Sequence, residues 1–158
     1  MIVPATLEHA VSVCERLVPE ELTAILALHG GEFCAQAYAQ RMVDSCELYA
    51  WLDGAGYPQF VGGLVVTGPE VAATWLVHTE GWRAGIVEVT GACRLALDTA
   101  LDSGLERIEC RQLATYRRAH RWYRHLGLRF ERQLPGLGRH GEDFVQFVRK
   151  REEVRPCA

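Results

Sequence analysis

Residues 116–128 have the sequence YRRAHRWYRHLGL, which is the clearest pattern in the chain. Arginines occupy several faces of this stretch, and the apolar side chains recur at helical spacing at Ala119, Trp122, Tyr123 and Leu126. Gly127 follows at the position where a helix end favours glycine. The pattern predicts a basic helix over about 116–126 that buries a tyrosine late in its length, just before the chain turns into a strand.

Length and composition indicate a single soluble globular domain. The chain has 158 residues, of which 49% are apolar and 23% are charged. We expect the domain to span 1–150 and a charged, loosely held tail to follow over 151–158. The sequence has no apolar run of the roughly eighteen residues that a membrane span requires. It also lacks the N-terminal pattern of a secretory signal, so we expect a cytoplasmic protein.

Positive charge is concentrated in one part of an otherwise acidic chain. The formal net charge is -3, yet residues 107–132 contain eight arginines and only two glutamates. Such a patch favours an anionic partner, which can be a phosphorylated cofactor, a nucleic acid or an acidic protein surface. A polar helix face in an arginine-rich protein is the simpler interpretation.

The cysteine and histidine spacings indicate no metal site. The six cysteines include no Cys-x-x-Cys pair, and several fall in apolar stretches, which is typical of reduced thiols in a cytosolic core. His120 and His125 are five residues apart and do not share a helix face well. We therefore expect neither a structural metal nor a catalytic one.

The rest of the chain predicts a mixed α/β fold. Three helices are expected first, over about 7–17, 19–29 and 32–44. An antiparallel meander of strands follows, over 47–52, 60–67 and 72–79. A helix over about 86–102 then connects the last of these strands to a parallel strand over 107–113. After the basic helix come two final strands, over about 128–134 and 143–149.

This order of elements resembles the GNAT acyltransferase fold over nearly the whole chain. On the helix that corresponds to the basic helix, the family often shows Asn-x-x-Ala-x-x-x-Tyr-x-x-x-Gly-Phe. Ala119, Tyr123 and Gly127 have the matching spacing, whereas Tyr116 replaces the asparagine and Leu128 replaces the phenylalanine. The resemblance implies that Tyr123 lies near the thioester sulfur, where it can protonate the leaving thiolate. The alternative is that Tyr123 only packs the helix on the sheet.

The resemblance also implies a binding loop for coenzyme A. GNAT enzymes hold its pyrophosphate in a loop of the form Arg/Gln-x-x-Gly-x-Gly/Ala at a helix N-terminus. Gly85 matches the first glycine, so that Trp82 takes the basic position and Val87 the last small position, unless Arg83 is the basic residue of a shorter loop. A β-branched residue at the second glycine site is expected to crowd the phosphate. The residues implied for acetyl-CoA are Trp82, Arg83, Ala84, Gly85, Ile86 and Tyr116, with backbone groups near Val77 and Thr79.

The function that the resemblance implies is acyl transfer, in the first place acetyl transfer, from coenzyme A to a small-molecule or protein amine. The amine would attack the thioester directly in a ternary complex. His78 and Glu80 are the candidate bases, and they lie on one side of the third meander strand if it extends that far. Nucleic-acid binding through the basic helix is a weaker alternative, because the core needs most of the aromatics Tyr116, Trp122 and Tyr123.

A narrower resemblance is to short GNAT-like phage proteins related to the internal virion protein A of short-tailed coliphages. The shared features are Pro4-Ala5-Thr6, Trp75-Leu76 with Thr79, Arg121-Trp122 leading to Leu126-Gly127, and Gly141-Glu142-Asp143-Phe144 with Phe147. This resemblance implies a non-catalytic alternative, a virion or interaction protein in the virion or the host cytoplasm, with virion proteins as partners. Trp51, Trp82 and the turn 135–141 are candidates for a surface patch, which would suit a homodimer.

Overall fold

The computed structural model describes residues 1–151, which form seven strands, five α-helices and one 3₁₀ helix. The strands are β1 (Ile2–Pro4), β2 (Leu48–Leu52), β3 (Pro58–Gly68), β4 (Val71–His78), β5 (Arg107–Leu113), β6 (Arg129–Leu134) and β7 (Phe144–Lys150). The helices are α1 (Leu7–Cys14), α2 (Pro19–His29), α3 (Ala35–Ser45), α4 (Ile86–Asp102) and α5 (Arg117–His125), and the 3₁₀ helix is Glu80–Gly85. Apart from Arg151, the predicted tail over 151–158 lies outside the described residues.

The strands form one sheet in the order β1-β2-β3-β4-β5-β7-β6. Its strand pairs are antiparallel except for β4 and β5, which are parallel. The predicted meander is β2–β3–β4 and the predicted parallel unit is β4–α4–β5, so the mixed α/β fold class is confirmed. The sequence does not predict β1, because three residues are too few to show alternation. This strand exists because it pairs with β2 at the sheet edge, where its proline is tolerated.

Local signals set the start of α1, and a long-range contact sets its end. Thr6 caps the helix in a capping box with His9. The helix ends at Cys14, before the predicted residue 17. The chain leaves the helix because the Val18 N–H donates to the carbonyl of His78 in β4, at 3.2 Å. The start of α2 is thereby tied to the end of β4.

Helices cover both faces of the sheet. On one face, α1 and α3 pack over the meander, with Val13 and Met42 buried in the contact. On the other face, α4 and α5 enclose Leu101, Ile108 and Phe147, which are almost fully buried. Burying each of these large apolar side chains contributes about 1.5–3 kcal/mol. The two cores hold β4, β5 and α5 in fixed positions.

The two parallel strands separate after a short pairing. β4 and β5 pair only from Val71 to Ala73 and from Arg107 to Glu109, and their carboxyl ends then part. The two strands therefore splay at their carboxyl ends. α2 lies across the open end, where its alanines pack in one cluster with Tyr116. The gap in the sheet is bounded by β4, β5, α2 and α5.

The five cysteines within residues 1–151 are free thiols. Burial raises the pKa of Cys14, Cys93 and Cys110 to about 12, so these thiols stay protonated. Residues 1–151 contain no group of three or more His, Cys, Asp or Glu side chains that could hold a metal ion. None of the helices described is long and apolar enough to span a bilayer.

Candidate active site

A cavity of about 390 Å³ lies between the end of β4 and α5. Its walls come from α2, β4, the 3₁₀ helix with the first residue of α4, and α5. The lining residues are Glu21, Leu76, His78, Trp82, Arg83, Ile86, Tyr116, Arg118, Ala119, Arg121, Trp122, Tyr123 and His125. The structure thus brings together six of the residues singled out from the sequence, namely His78, Trp82, Arg83, Ile86, Tyr116 and Tyr123. The other five do not line the cavity: Val77, Thr79, Glu80, Ala84 and Gly85.

Three polar side chains meet at the buried end of this cavity. His78 Nδ1 lies 3.1 Å from the carbonyl oxygen of Thr79. Because a carbonyl oxygen only accepts, Nδ1 carries the proton and Nε2 of the neutral ring is an acceptor. The Tyr116 hydroxyl lies 3.3 Å from Nε2, and Glu21 Oε1 lies 3.4 Å from it. Either group can donate to the single lone pair of Nε2 when it carries a proton.

Burial keeps this group of side chains uncharged. Glu21 is only 4% exposed, and burial, followed by the nearby charge of Glu20, raises its pKa to about 8. Burial also lowers the pKa of His78 and raises the pKa of Tyr116. At neutral pH the carboxyl group is therefore protonated and the imidazole is neutral. The contact between them is a hydrogen bond, and His78 is in the form that can accept a proton.

Tyr123 lines the same cavity, with its hydroxyl held from β5. Its side chain is buried, and its ring packs against Phe147 with the centroids 5.5 Å apart. The hydroxyl accepts a hydrogen bond from Gln112 Nε2 at 3.3 Å and is also hydrogen-bonded to the Cys110 thiol. Burial raises the pKa of Tyr123 well above its ordinary value. The phenol therefore stays protonated and can donate a hydrogen bond.

The exposed part of the cavity wall is basic. Arg83, Arg118, Arg121 and His125 line it together. Arg83 forms an ion pair with Glu80, with 2.9 Å between Nη2 and Oε2, whereas Arg118 and Arg121 form none with any residue in 1–151. A concave surface with this charge attracts anionic ligands.

The backbone of β4 presents alternate residues to the gap. The Thr79 N–H donates to the Gln59 carbonyl, on the side of β3, at 3.0 Å. Because backbone groups alternate along an antiparallel ladder, Val77 also faces β3, whereas Leu76 and the N–H of His78 face the gap. The backbone groups at Val77 and Thr79 that the resemblance implied for cofactor binding are therefore engaged by β3, and their neighbours border the cavity.

The predicted pyrophosphate loop is a 3₁₀ helix that enters the core. Trp82 is buried, stacks on Phe60 and meets Trp122 in a T-shaped contact. It therefore cannot take the place of the basic residue that contacts the phosphate. Trp51 is buried as well, and the expectation that these two tryptophans form a surface patch is wrong. Val87, at the second glycine site, lies in the first turn of α4 and is 85% exposed, and its crowding of a bound phosphate stays a prediction.

Packing between Gly85 and Trp51 sets the start of α4. A Cβ atom at Gly85 would lie 2.2 Å from the indole ring. The Trp51 Nε1–H donates to Glu88 Oε2 at 2.7 Å, which fixes the ring and places a carboxylate in the first turn of α4. The helix N-terminus that corresponds to the family's phosphate site thus already carries a negative side chain.

Glu80 does not take part in this site. β4 ends at His78, and Glu80 begins the 3₁₀ helix, so strand alternation does not extend to it. Its side chain is 62% exposed and pairs with Arg83. The expectation that His78 and Glu80 lie on one side of the strand is therefore wrong, and His78 is the candidate base that lines the cavity.

Sequence reasoning missed two residues of the site, Glu21 and Gln112. Glu21 stands on the buried face of α2, in line with Ala24 and Ile25. An acidic residue within an apolar helical stripe is the signal that could have identified it. Gln112 is buried near the end of β5, and no feature of the local sequence marks it as the partner of Tyr123.

The aromatic residues of α5 pack into the core. Tyr116, Trp122 and Tyr123 are buried, and the Trp122 Nε1–H donates to Thr90 of α4 at 2.8 Å. The helix therefore offers arginines to solvent but no exposed aromatic face on which bases could stack. This arrangement does not favour nucleic-acid binding.

Comparison with known proteins places the fold. A scan against models of protein families finds no match, and a search of curated proteins finds none either. Among solved structures, a GNAT-family acetyltransferase from Bacillus anthracis is similar, with a TM-score of 0.74 and 12% sequence identity. The match covers 96% of this chain and 94% of that chain.

Two enzymes named for ribosomal-protein substrates are similar as well. The ribosomal-protein-alanine N-acetyltransferase from Brucella melitensis matches with a TM-score of 0.73 and 12% identity, over 95% of this chain and 99% of that chain. The ribosomal-protein-S18-alanine N-acetyltransferase from Escherichia coli matches with a TM-score of 0.67 and 12% identity, over 94% and 91%. Likeness at such low identity concerns the fold alone, and this protein has the fold of the GNAT acetyltransferases.

Proposed function

We propose that this protein transfers an acyl group, in the first place acetyl, from coenzyme A to an amine. The observation that carries the proposal is the cavity between the end of β4 and α5. It joins basic side chains at its exposed wall to His78 and Tyr123 at its buried end. The fold shared with GNAT acetyltransferases supports the same reaction.

The cavity residues suit coenzyme A. Arg118 and Arg121 carry guanidinium groups without ion pairs among residues 1–151, and such groups bind phosphate well. Arg83 adds a third positive charge to the same wall. The backbone of β4 at Leu76 borders the gap and can pair with the amides of a pantetheine arm. When bound, acetyl-CoA would supply a thioester carbonyl that an amine can attack.

His78 and Tyr123 would handle the proton and the developing charge. Nε2 of His78 accepts the proton that the amine loses, because burial keeps the ring neutral and the Thr79 carbonyl holds the other nitrogen. Tyr123 donates its phenolic hydrogen bond to the departing sulfur. Tyr116 and Glu21 orient the His78 ring.

Calorimetric titration with acetyl-CoA and with coenzyme A tests the proposal. We expect both to bind with micromolar affinity. Arg83→Gln is expected to weaken binding about tenfold, because it removes a charge-assisted hydrogen bond to phosphate. Arg94→Gln is the matched control, since Arg94 is exposed on α4 and lines neither this cavity nor the second one described below.

Absence of binding at millimolar ligand would contradict the proposal. The non-catalytic interaction protein would then be the next hypothesis, and virion or host proteins would be the partners to test. Binding that is equally strong in wild type and Arg83→Gln would keep coenzyme A as a ligand but remove Arg83 from its site.

Tyr123→Phe is expected to lower kcat about tenfold and to leave the Kd of acetyl-CoA unchanged. The phenol would turn its hydrogen bond from the Cys110 thiol to the departing sulfur, and one hydrogen bond to a charged group contributes about 1.5–3 kcal/mol. Release of free thiol from acetyl-CoA in the presence of an amine measures kcat. A variant with full kcat would show that Tyr123 only packs α5 on the sheet.

A further inference from the structure

A second cavity, of about 400 Å³, lies on the other side of Tyr116. It is formed by the start of α2, the end of β5 and the start of α5. Its lining residues are Pro19, Glu20, Thr23, Leu113, Thr115, Tyr116, Arg117, Arg118 and Arg121. Tyr116, Arg118 and Arg121 also line the first cavity, so the two cavities share a wall.

Three arginines make the second cavity positively charged. Arg117, Arg118 and Arg121 are exposed, and none of them pairs with a carboxylate in residues 1–151. Glu20 is the one acidic side chain in the wall, so the lining has an excess of positive charge. Guanidinium groups present paired N–H donors that match the oxygens of a carboxylate or a phosphate. A cationic ligand would meet repulsion here.

The shared wall also brings the second cavity close to the candidate base. The Tyr116 hydroxyl is 3.3 Å from His78 Nε2. Tyr116 and Thr115 begin the turn into α5, directly after β5, on the open side of the gap. A ligand held by the three arginines therefore lies next to the side chain that touches His78.

We infer that the second cavity binds the amine acceptor, and that this acceptor carries a carboxylate or a phosphate beside its amine. The inference rests on the proposed function, and it narrows the substrate class. The anionic group pairs with Arg117 and with the N–H groups of Arg118 and Arg121 that face the second cavity, because each guanidinium in the shared wall has enough donors to serve both cavities. The amine is directed toward His78. Polyamines and lysine-rich peptides are excluded by the charge of the same wall.

Variants of two arginines can distinguish the binding of the acceptor from the binding of coenzyme A. Arg117 lines only the second cavity, and Arg83 lines only the first. We expect Arg117→Gln to weaken the binding of the acceptor, and Arg83→Gln to weaken the binding of coenzyme A. If all the arginines instead served coenzyme A, both variants would weaken the binding of coenzyme A.

The test uses pairs of amines that differ only in the anionic group, namely O-phosphoethanolamine with ethanolamine and phenylalanine with phenethylamine. Binding is measured first, by calorimetry without coenzyme A, and kcat/KM is then measured by thiol release from acetyl-CoA. We expect the anionic member of at least one pair to bind and react at least tenfold better. Arg117→Gln should remove most of that preference, and Arg117→Lys should restore part of it. The Kd of acetyl-CoA should stay the same in both variants.

Equal binding of the two members in every pair, or a preference that survives Arg117→Gln, would overturn the inference. A weaker Kd for acetyl-CoA in Arg117→Gln would also overturn it, because the arginines would then serve coenzyme A. Failure of the proposed function gives a different result. In that case wild type binds neither acetyl-CoA nor coenzyme A, while the calorimetric comparison of the amines still reports on the second cavity.

Discussion

Gly85→Ala is expected to lower the free energy of unfolding by about 3 kcal/mol. The added methyl group would lie 2.2 Å from the indole ring of Trp51. That ring cannot move aside easily, because it is buried in the core and its Nε1–H is bonded to Glu88. Overpacking of a filled site costs about 1–3 kcal/mol, and a rigid neighbour puts the cost at the upper end. Urea unfolding monitored by tryptophan fluorescence measures the change.

Gly91→Ala provides a control in the same helix. Gly91 lies inside α4, and a Cβ atom there would meet nothing within 4 Å. Since alanine is the better helix former, this variant is expected to raise the free energy of unfolding by about 0.5–1 kcal/mol. If both variants changed stability by a similar small amount, the packing of Gly85 on Trp51 would not be the reason for glycine at this position.

Wild type is expected to lose stability as the pH rises, and Glu21→Gln is expected to abolish most of this loss. The ordinary pKa of a glutamate is 4.5, whereas Glu21 titrates at about 8 in the folded protein. Between these values the folded state holds a proton that the unfolded state has lost, so stability falls as the pH rises. The lowered pKa of His78 opposes this trend below its ordinary value of 6.5. Above pH 6.5 His78 no longer opposes the effect of Glu21, which lowers the free energy of unfolding by about 1.4 kcal/mol per pH unit.

The comparison to make is urea unfolding of wild type and Glu21→Gln at several values between pH 6.5 and pH 8. Wild type is expected to lose about 2 kcal/mol more than the variant over this interval. Glu32→Gln serves as the control, since its side chain is exposed beyond the end of α2 and is not among the charges that act on Glu21, and its profile should follow that of wild type. Parallel profiles for wild type and Glu21→Gln would show that Glu21 is charged in the folded protein.

Local sequence signals were sufficient for the elements on which the site is built. The bounds predicted for α4 and β5 agree with the structure, because apolar periodicity and glycine breaks mark both ends. The basic helix was predicted for the same reason. β1 could not be predicted, since its only support is pairing with β2, which lies far away in the sequence.

The site was harder to predict because its contacts are non-local. Tyr123 lines the cavity as expected, but its partner Gln112 lies on a different element. Glu21 reaches His78 only because α2 folds across the open end of the sheet. Glu80 was misjudged because β4 ends two residues before it, and no local signal marks that end.

The short pairing of β4 and β5 divides the sheet into two parts that share three residue pairs. Each part has a longer ladder of its own, so only a few backbone hydrogen bonds hold the two parts together. An extended ligand in the gap would act as an additional strand and would form backbone hydrogen bonds that the chain itself does not form there. Binding would then join the two halves mechanically, and the whole fold would unfold at a higher temperature with ligand than without it.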